Sequence, residues 1–178
     1  MPAQIIDGTH IANQLKARLK EEIIQLKSKG IVPGLAVVLI GENPASKIYV
    51  HRKAVSCEEV GMFGMQIRLP ETVSQKEVLE TLSQLNNDSR IHGIIVQLPL
   101  PSHLNESKIM QSISPEKDVD GFHWLNQGKL YSGQASLVPN TPRGVIQLIQ
   151  STGISIAGKH AVVIGRSLTV GKPVAMLL

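Results

Sequence analysis

The sequence contains a single cysteine, Cys57, so no internal disulfide can staple the chain, and it suits a reducing compartment. Aromatic residues make up only 3%, too few to interleave with basic side chains as a stacking surface for nucleic acid. No apolar stretch approaches the roughly 20 residues of a membrane-spanning helix. Asp7, Gly8 and His10 arrive too early for a secretory signal. The histidines at 10, 51, 92, 103, 123 and 160 share no metal-ligand spacing with one another or with Cys57. There is no G-x-S-x-G elbow, no phosphate loop ending G-K-[ST], no internal repeat and no low-complexity tract. The expectation is a cytoplasmic globular protein that uses no metal, nucleic acid or membrane.

What is present is ordinary globular composition. With 42% hydrophobic and 18% charged residues in 178 positions, the chain can build one sizeable core, or one domain plus part of another. The net charge of +4 comes from basic residues spread along the chain, which implies a mild attraction for small anions.

The periodicity alternates between strand and helix. Ile5-Ile6-Asp7 reads as a short strand or lead-in. Thr9 is placed to cap a helix with Ile11, Ala12, Leu15, Leu19, Ile23 and Leu26 on one stripe, ending at Gly30. The run 35–41, LAVVLIG, has the pattern of a strand buried on both faces. Asn43-Pro44 opens a helix with Ile48, Cys57 and Val60 inward, ended by Gly61. MQIRL (65–69) alternates like a half-buried strand. Ser74 to Glu77 forms a capping box ahead of Val78, Leu79, Leu82 and Leu85. GIIVQLPLP (93–101) is a second apolar strand broken by Pro99 and Pro101. A short helix is expected near Ile109 to Ile113, while 114–130 reads as irregular, with Trp124 as an anchor. Thr141-Pro142 opens a helix with Val145, Ile146, Leu148 and Ile149 inward. KHAVVIG (159–165) reads as a final strand, followed by a helix from about Thr169. This order implies an α/β fold with a parallel sheet covered on both faces. A boundary falls in 121–141, where periodicity lapses; the strand and helix after it look like the opening of a second α/β unit.

In open parallel sheets ligands bind beyond the carboxyl ends of the strands, and three polar features fall there. Tyr49 and Lys53 lie one turn apart on the helix after strand 35–41. Gln97 interrupts an apolar strand. Asp118 and Asp120 sit in the turn KDVDG. Each has a bland alternative: a solvated surface pair, a backbone-satisfying amide, a turn-forming pair of aspartates. A fourth feature, VVIGRSLTVGKP (162–173), is strand, glycine turn and helix, the setting for a phosphate. It departs from G-x-G-x-x-G because Ser167 takes the second glycine's place, while Gly165 and Gly171 keep the outer two. Arg166 could pair with an extra phosphate, favouring NADP over NAD; a plain strand-to-helix turn is the alternative. Cys57, on an inward helix face, reads as core rather than nucleophile.

Taken together, GENPASKIYVHRKAVSCEEVG, GIIVQLPLP, PEKDVDGFH, NTPRG and VVIGRSLTVGKP resemble the bifunctional methylenetetrahydrofolate dehydrogenase/methenyltetrahydrofolate cyclohydrolase family, the FolD type, over essentially the whole chain. The resemblance implies a folate-binding catalytic domain at 1–121, followed at 122–178 by the beginning of a Rossmann-type NADP-binding domain. It implies NADP-dependent oxidation of methylenetetrahydrofolate and hydrolysis of the methenyl product to 10-formyltetrahydrofolate, in the one-carbon metabolism that feeds purine, methionine and histidine biosynthesis. By motif, Lys53 takes the catalytic lysine's place and Tyr49 that of the active-site tyrosine. Gln97 matches the lysine's partner and Asp120 the carboxylate that holds the pterin. Gly165, Arg166 and Ser167, with Gly171, match the NADP-contacting turn. A homodimer is also implied.

Two residues depart from the family pattern: Asn140 stands where cysteine usually precedes Thr-Pro, and Trp124 where proline is common. Family members also continue past the position of Leu178, which gives the expectation that the 178-residue chain has lost most dehydrogenase activity. A folate-binding chain without catalysis is the rival reading. A different two-domain dehydrogenase, of the shikimate type, is a weaker one.

Overall fold

The structure is a computed structural model that describes residues 3–178. The chain divides into two compact units. One is Leu19–Val119; the other combines the described residues up to Arg18 with Asp120–Leu178. The division falls within helix α1 (Gly8–Ser28).

The unit Leu19–Val119 is built on a parallel sheet of three strands, β1 (Gly34–Ile40), β2 (Phe63–Leu69) and β3 (Gly93–Val96), in the order β2-β1-β3. Register places Val38 opposite Ile67 on one side and Val96 on the other. The apolar run in β1 is explained by this central place: every β1 residue but Leu35 is buried, whereas edge strand β2 alternates between half-buried and exposed. Helix α2 (Pro44–Val60) follows β1, and its Val50 joins Val37, Leu39 and Ile95 in one core cluster with Leu35 and Val119 against it. Each such fully buried aliphatic side chain contributes about 1.5–3 kcal/mol. Helices α3 (Gln75–Asn87) and α4 (Glu106–Met110) complete the unit, with Val78 and Leu82 of α3 wholly buried. Ile94 also forms an isolated parallel bridge with Asp118, itself only 2% exposed, so the first aspartate of KDVDG extends the sheet.

The other unit holds α5 (Trp124–Tyr131), α6 (Asn140–Ser151) and α7 (Gly171–Leu177), with α5 and α6 both in contact with α7.

Several expectations hold at the level of the elements. Asn43 accepts from Ser46 N at 3.1 Å and Gly61 ends α2 at φ +84°; the Ser74–Glu77 capping box is complete. Others need correction. Residues 3–7 take the lead-in form, one of the two expected for 5–7, but Asp7 rather than Thr9 caps α1, accepting from His10 N at 2.9 Å. Of the α1 stripe only Ile23 is buried. Ile48 points outward, because Ser46 and Val50 take the inward positions on α2. The segment 114–130 is not all irregular: α5 forms, capped by His123 Nδ1, which accepts from Leu125 N at 3.1 Å. Trp124 opens that helix at 65% exposure and is no buried anchor. Residues 159–165 form no strand. A strand needs a neighbouring ladder for its N–H and C=O groups, and every strand among the described residues belongs to the β2-β1-β3 sheet; Val162 and Ile164 are accordingly exposed.

The turn entering β3 carries a charge pair. Arg90 hydrogen-bonds Asp88 through Nη2 at 2.7 Å and Nε at 3.0 Å, and its guanidinium lies 5.7 Å from the centre of the Phe63 ring. Those Arg90 hydrogen bonds hold the Asp88 carboxyl at about 2. Because this lies below the unfolded value of roughly 4, the pair's contribution is full above that value and is lost as pH falls through about 2. The site is solvent-accessible, so the contribution is small. Asp88→Asn is expected to flatten the dependence of urea-unfolding stability on pH in this window; an unchanged slope would refute the assignment.

Candidate active site

The site in Leu19–Val119 forms where β1 and β3 end. Gly41 turns the chain out of β1 at φ +79°, Asn43 caps α2, and Tyr49 and Lys53 follow one turn apart. Gln97 continues the sheet ladder by one bond, its N–H donating to Val38 O at 2.9 Å. Its side chain then meets the helix: Lys53 Nζ donates to Gln97 Oε1 at 2.9 Å. The other end of the amide is also fixed, since Gln97 Nε2 donates to Leu98 O at 2.8 Å. Ser46, 3% exposed, donates its hydroxyl to the same carbonyl at 3.3 Å. The Leu98–Pro99 peptide bond is cis. With its donor end committed to a carbonyl, the Gln97 amide can only present its oxygen to the lysine.

Lys53 is half-buried and Tyr49 is 56% exposed, so the phenol is open to a ligand while the amine is held. A hollow of about 340 Å³ lies beyond the end of β1, lined by Gly41, Glu42, Pro99 and Leu100 among others. Glu42 is paired with Lys47, whose hydrogen bond holds its carboxyl below the ordinary range. Burial pushes the Cys57 thiol up, which suits a core residue and not a nucleophile. Among the described residues no group of three or more His, Cys, Asp and Glu is placed to hold a metal, and no helix is long and apolar enough to cross a membrane.

Asp120 belongs to the other compact unit. It is half-buried and accepts from Asn140 Nδ2 at 2.7 Å. In the same unit, Gly165, Ser167 and Gly171 come together in one tight turn. Gly165 has φ +149°, and a Cβ on Gly171 would lie 2.5 Å from both the carbonyl carbon and oxygen of Gly165. Ser167 Oγ accepts from the N–H groups of Val170 and Gly171 at 3.1 Å each. Those two N–H groups are therefore used within the turn and not offered to a phosphate. Bare backbone where chain meets chain, beside the exposed Arg166, still fits the close approach of a dinucleotide's phosphates.

Sequence reasoning thus placed Lys53 and Gln97 on elements that do meet. It missed Ser46, whose only signal was a small hydroxyl residue in the first turn of α2, and the Asn140–Asp120 bond, for which spacing gives no signal.

Comparison with known proteins gives the family of the chain. Residues 6–120 match the family model for the tetrahydrofolate dehydrogenase/cyclohydrolase catalytic domain, and residues 139–178 the model for its NAD(P)-binding domain. The chain is 51% identical over 177 residues to the bifunctional protein FolD of Bacillus thuringiensis, covering 99% of this chain and 62% of that protein. It is similar to the crystal structure of the Campylobacter jejuni bifunctional enzyme FolD at 46% identity and TM-score 0.96, covering 98% of this chain and 62% of that one. It is also similar to the Trypanosoma brucei methylenetetrahydrofolate dehydrogenase-cyclohydrolase complexed with NADP cofactor and inhibitor, at 35% identity and TM-score 0.96, covering 99% of this chain and 61% of that one. The chain therefore spans just over three-fifths of the length of these relatives.

Proposed function

Because this chain belongs to the tetrahydrofolate dehydrogenase/cyclohydrolase family, we propose that it oxidises methylenetetrahydrofolate with NADP and hydrolyses the methenyl product to 10-formyltetrahydrofolate. The observation that carries the proposal is the 2.9 Å contact between Lys53 Nζ and Gln97 Oε1, with Tyr49 one turn earlier on the same helix.

Oxidation asks little of acid–base groups and much of alignment, so the chain's task in that step is to hold the folate. Bound NADP would supply the acceptor for the hydride lost from the methylene carbon. Gly165, Arg166, Ser167 and Gly171 are the residues that would hold it.

Hydration is more demanding. Water adds to the methenyl carbon, one proton must leave that water, and a ring nitrogen must gain a proton as the ring opens. Lys53 can do both if it spends part of its time uncharged, which a cationic ligand beside it favours. Gln97 orients the amine through a neutral oxygen and so does not lock it in the ammonium form. Tyr49 lies within reach of lysine and ligand. Asp120 accepts hydrogen bonds from the pterin's amino and ring N–H groups. With this reading go a homodimer, a cytoplasmic location and supply of one-carbon units to purine, methionine and histidine synthesis.

A second reading, a folate binder without turnover, is favoured by one observation: residues 159–165 pair with no strand, and Ile164 is 100% exposed. Separate titrations with tetrahydrofolate and with NADP, and the decay of methenyltetrahydrofolate absorbance, decide between them. The enzyme reading expects both ligands to bind and hydrolysis to proceed. Folate binding with neither turnover nor NADP affinity would establish the second reading, and no folate binding would remove both.

A further inference from the structure

Resting on the folate reading above, we infer that Asn140 is a positioning residue, fixing the Asp120 carboxylate in the orientation that receives the ligand's N–H groups. Asn140 is the first residue of α6, and its Nδ2 donates to Asp120 Oδ1 at 2.7 Å across 20 positions of sequence.

The backbones that carry the two side chains are pressed together, which sets this bond apart from a chance contact of mobile surface groups. Gly121, next to Asp120, has φ +67°, and a Cβ there would lie 2.9 Å from both Cδ and N of Pro139 and 3.1 Å from the carbonyl carbon of Val138. Pro139, next to Asn140, is fully buried. The segments 120–121 and 138–140 therefore abut, and their two short side chains leave them at neighbouring points. Asn and Asp have few rotatable bonds, so a hydrogen bond between them loses little side-chain entropy.

The chemistry of the pair is specific. A carboxylate offers two oxygens and about four acceptor directions. A neutral amide donor on one oxygen sets the plane of the group and leaves its negative charge intact for a ligand with paired N–H donors. A lysine at 140 would neutralise Asp120, and an aspartate there would repel it.

The test is a double-mutant cycle on the 178-residue chain, with tetrahydrofolate affinity measured by anaerobic calorimetry. Asn140→Ala is expected to weaken binding about tenfold when Asp120 is present, the scale of a hydrogen bond to a charged group. On top of Asp120→Ala it is expected to change nothing, because residues that act as a unit are not additive. In hydrolysis of methenyltetrahydrofolate, the KM of Asn140→Ala rises by a similar factor while kcat stays, a split that general loosening of the fold would not give. If Asn140→Ala does not fold, Asn140→Asp keeps the size and must weaken binding by more than about tenfold through like charge; unchanged affinity overturns the inference. Equal losses in the Asp120 and Asp120→Ala backgrounds overturn it while leaving the folate reading intact. Failure of the unmutated chain to bind tetrahydrofolate overturns both.

Discussion

Lys53→Met is expected to slow methenyltetrahydrofolate hydrolysis by about a thousandfold, within the range that a positioned proton carrier supplies, with tetrahydrofolate affinity little changed. Methionine keeps the length and the apolar stem, so α2 should fold as before; what is lost is the amine that reaches Gln97 at 2.9 Å. Its companion, Gln97→Glu, probes charge more narrowly. The substitution keeps shape but places a carboxylate where Oε1 now accepts. An ion pair near a protein surface is worth about 4 kcal/mol at roughly 4 Å between the charges, enough to hold the lysine charged and unable to take a proton from water. Gln97→Glu should therefore lose most of the hydrolysis rate although the oxygen facing Lys53 is kept; the substitution also removes the N–H that Gln97 donates to Leu98 O. Stopped-flow decay of methenyltetrahydrofolate reports both. Retention of more than about a tenth of the rate by Lys53→Met would show that another group moves the proton; a fully active Gln97→Glu would show that the neutrality of the partner is irrelevant.

That these side chains share one rim was legible in the sequence because it rests on two local rules; the pairing of Gln97 with Lys53 was given only by the family resemblance. Asn43-Pro44 starts a helix, which fixes Tyr49 and Lys53 on one face, and Gln97 falls at the end of an apolar run, where parallel sheets place their ligands. The capping box at Ser74 and the glycine stop at Gly61 were legible for the same reason: each depends on a few consecutive residues.

What was not legible depends on partners distant in sequence. Residues 159–165 have strand composition, but composition supplies no ladder, and the segment stays unpaired with Val162 and Ile164 exposed. Helix α5 was hidden by Gly121 and Gly128, and its cap is a histidine ring nitrogen rather than a usual capping side chain. The α1 stripe is a good amphipathic pattern, yet only Ile23 is buried, because periodicity names a face and not its cover. Asp118 and Asp120 look alike in KDVDG, but one is buried against Ile94 and the other faces Asn140. Two residues of sequence separate a sheet contact from a candidate ligand group, and only register with β3 tells them apart.

Gly34→Ala should be the most damaging single methyl group added to this chain, expected to cost about 3 kcal/mol or more, at the top of the range for overpacking. Gly34 opens β1, donates from N to His92 Nδ1 at 3.1 Å, and accepts from His92 N at 2.8 Å. A Cβ at this position would lie 1.9 Å from the carbonyl oxygen of Arg90 and 3.3 Å from Phe63 Cδ1. The obstacle is backbone, and it is tied down: Arg90 is bonded to Asp88, and Lys117 Nζ donates to the Asp88 carbonyl at 2.9 Å. Relief would require the 88–92 turn to move away from β1, breaking the bonds that set the register of β3. Because β1 leads through Gly41 to the α2 cap at Asn43, and β3 leads directly into Gln97, the same shift would part Lys53 from its partner, so folate binding should fall with stability. Two glycines serve as controls. A Cβ at Gly64 in β2 meets Cys57 Cβ at an ordinary 3.5 Å, and one at Gly144 within α6 meets nothing within 4 Å. Gly64→Ala should be near neutral, and Gly144→Ala should stabilise by about 0.5–1 kcal/mol through helix propensity. Urea unfolding of the three variants separates close packing from glycine's general flexibility. With total stabilities of about 5–15 kcal/mol for folded domains, a loss of about 3 kcal/mol leaves Gly34→Ala folded in water but unfolding at a much lower urea concentration than the unmutated chain. An unchanged midpoint for it would mean that the turn before β3 does not lie against β1 as described.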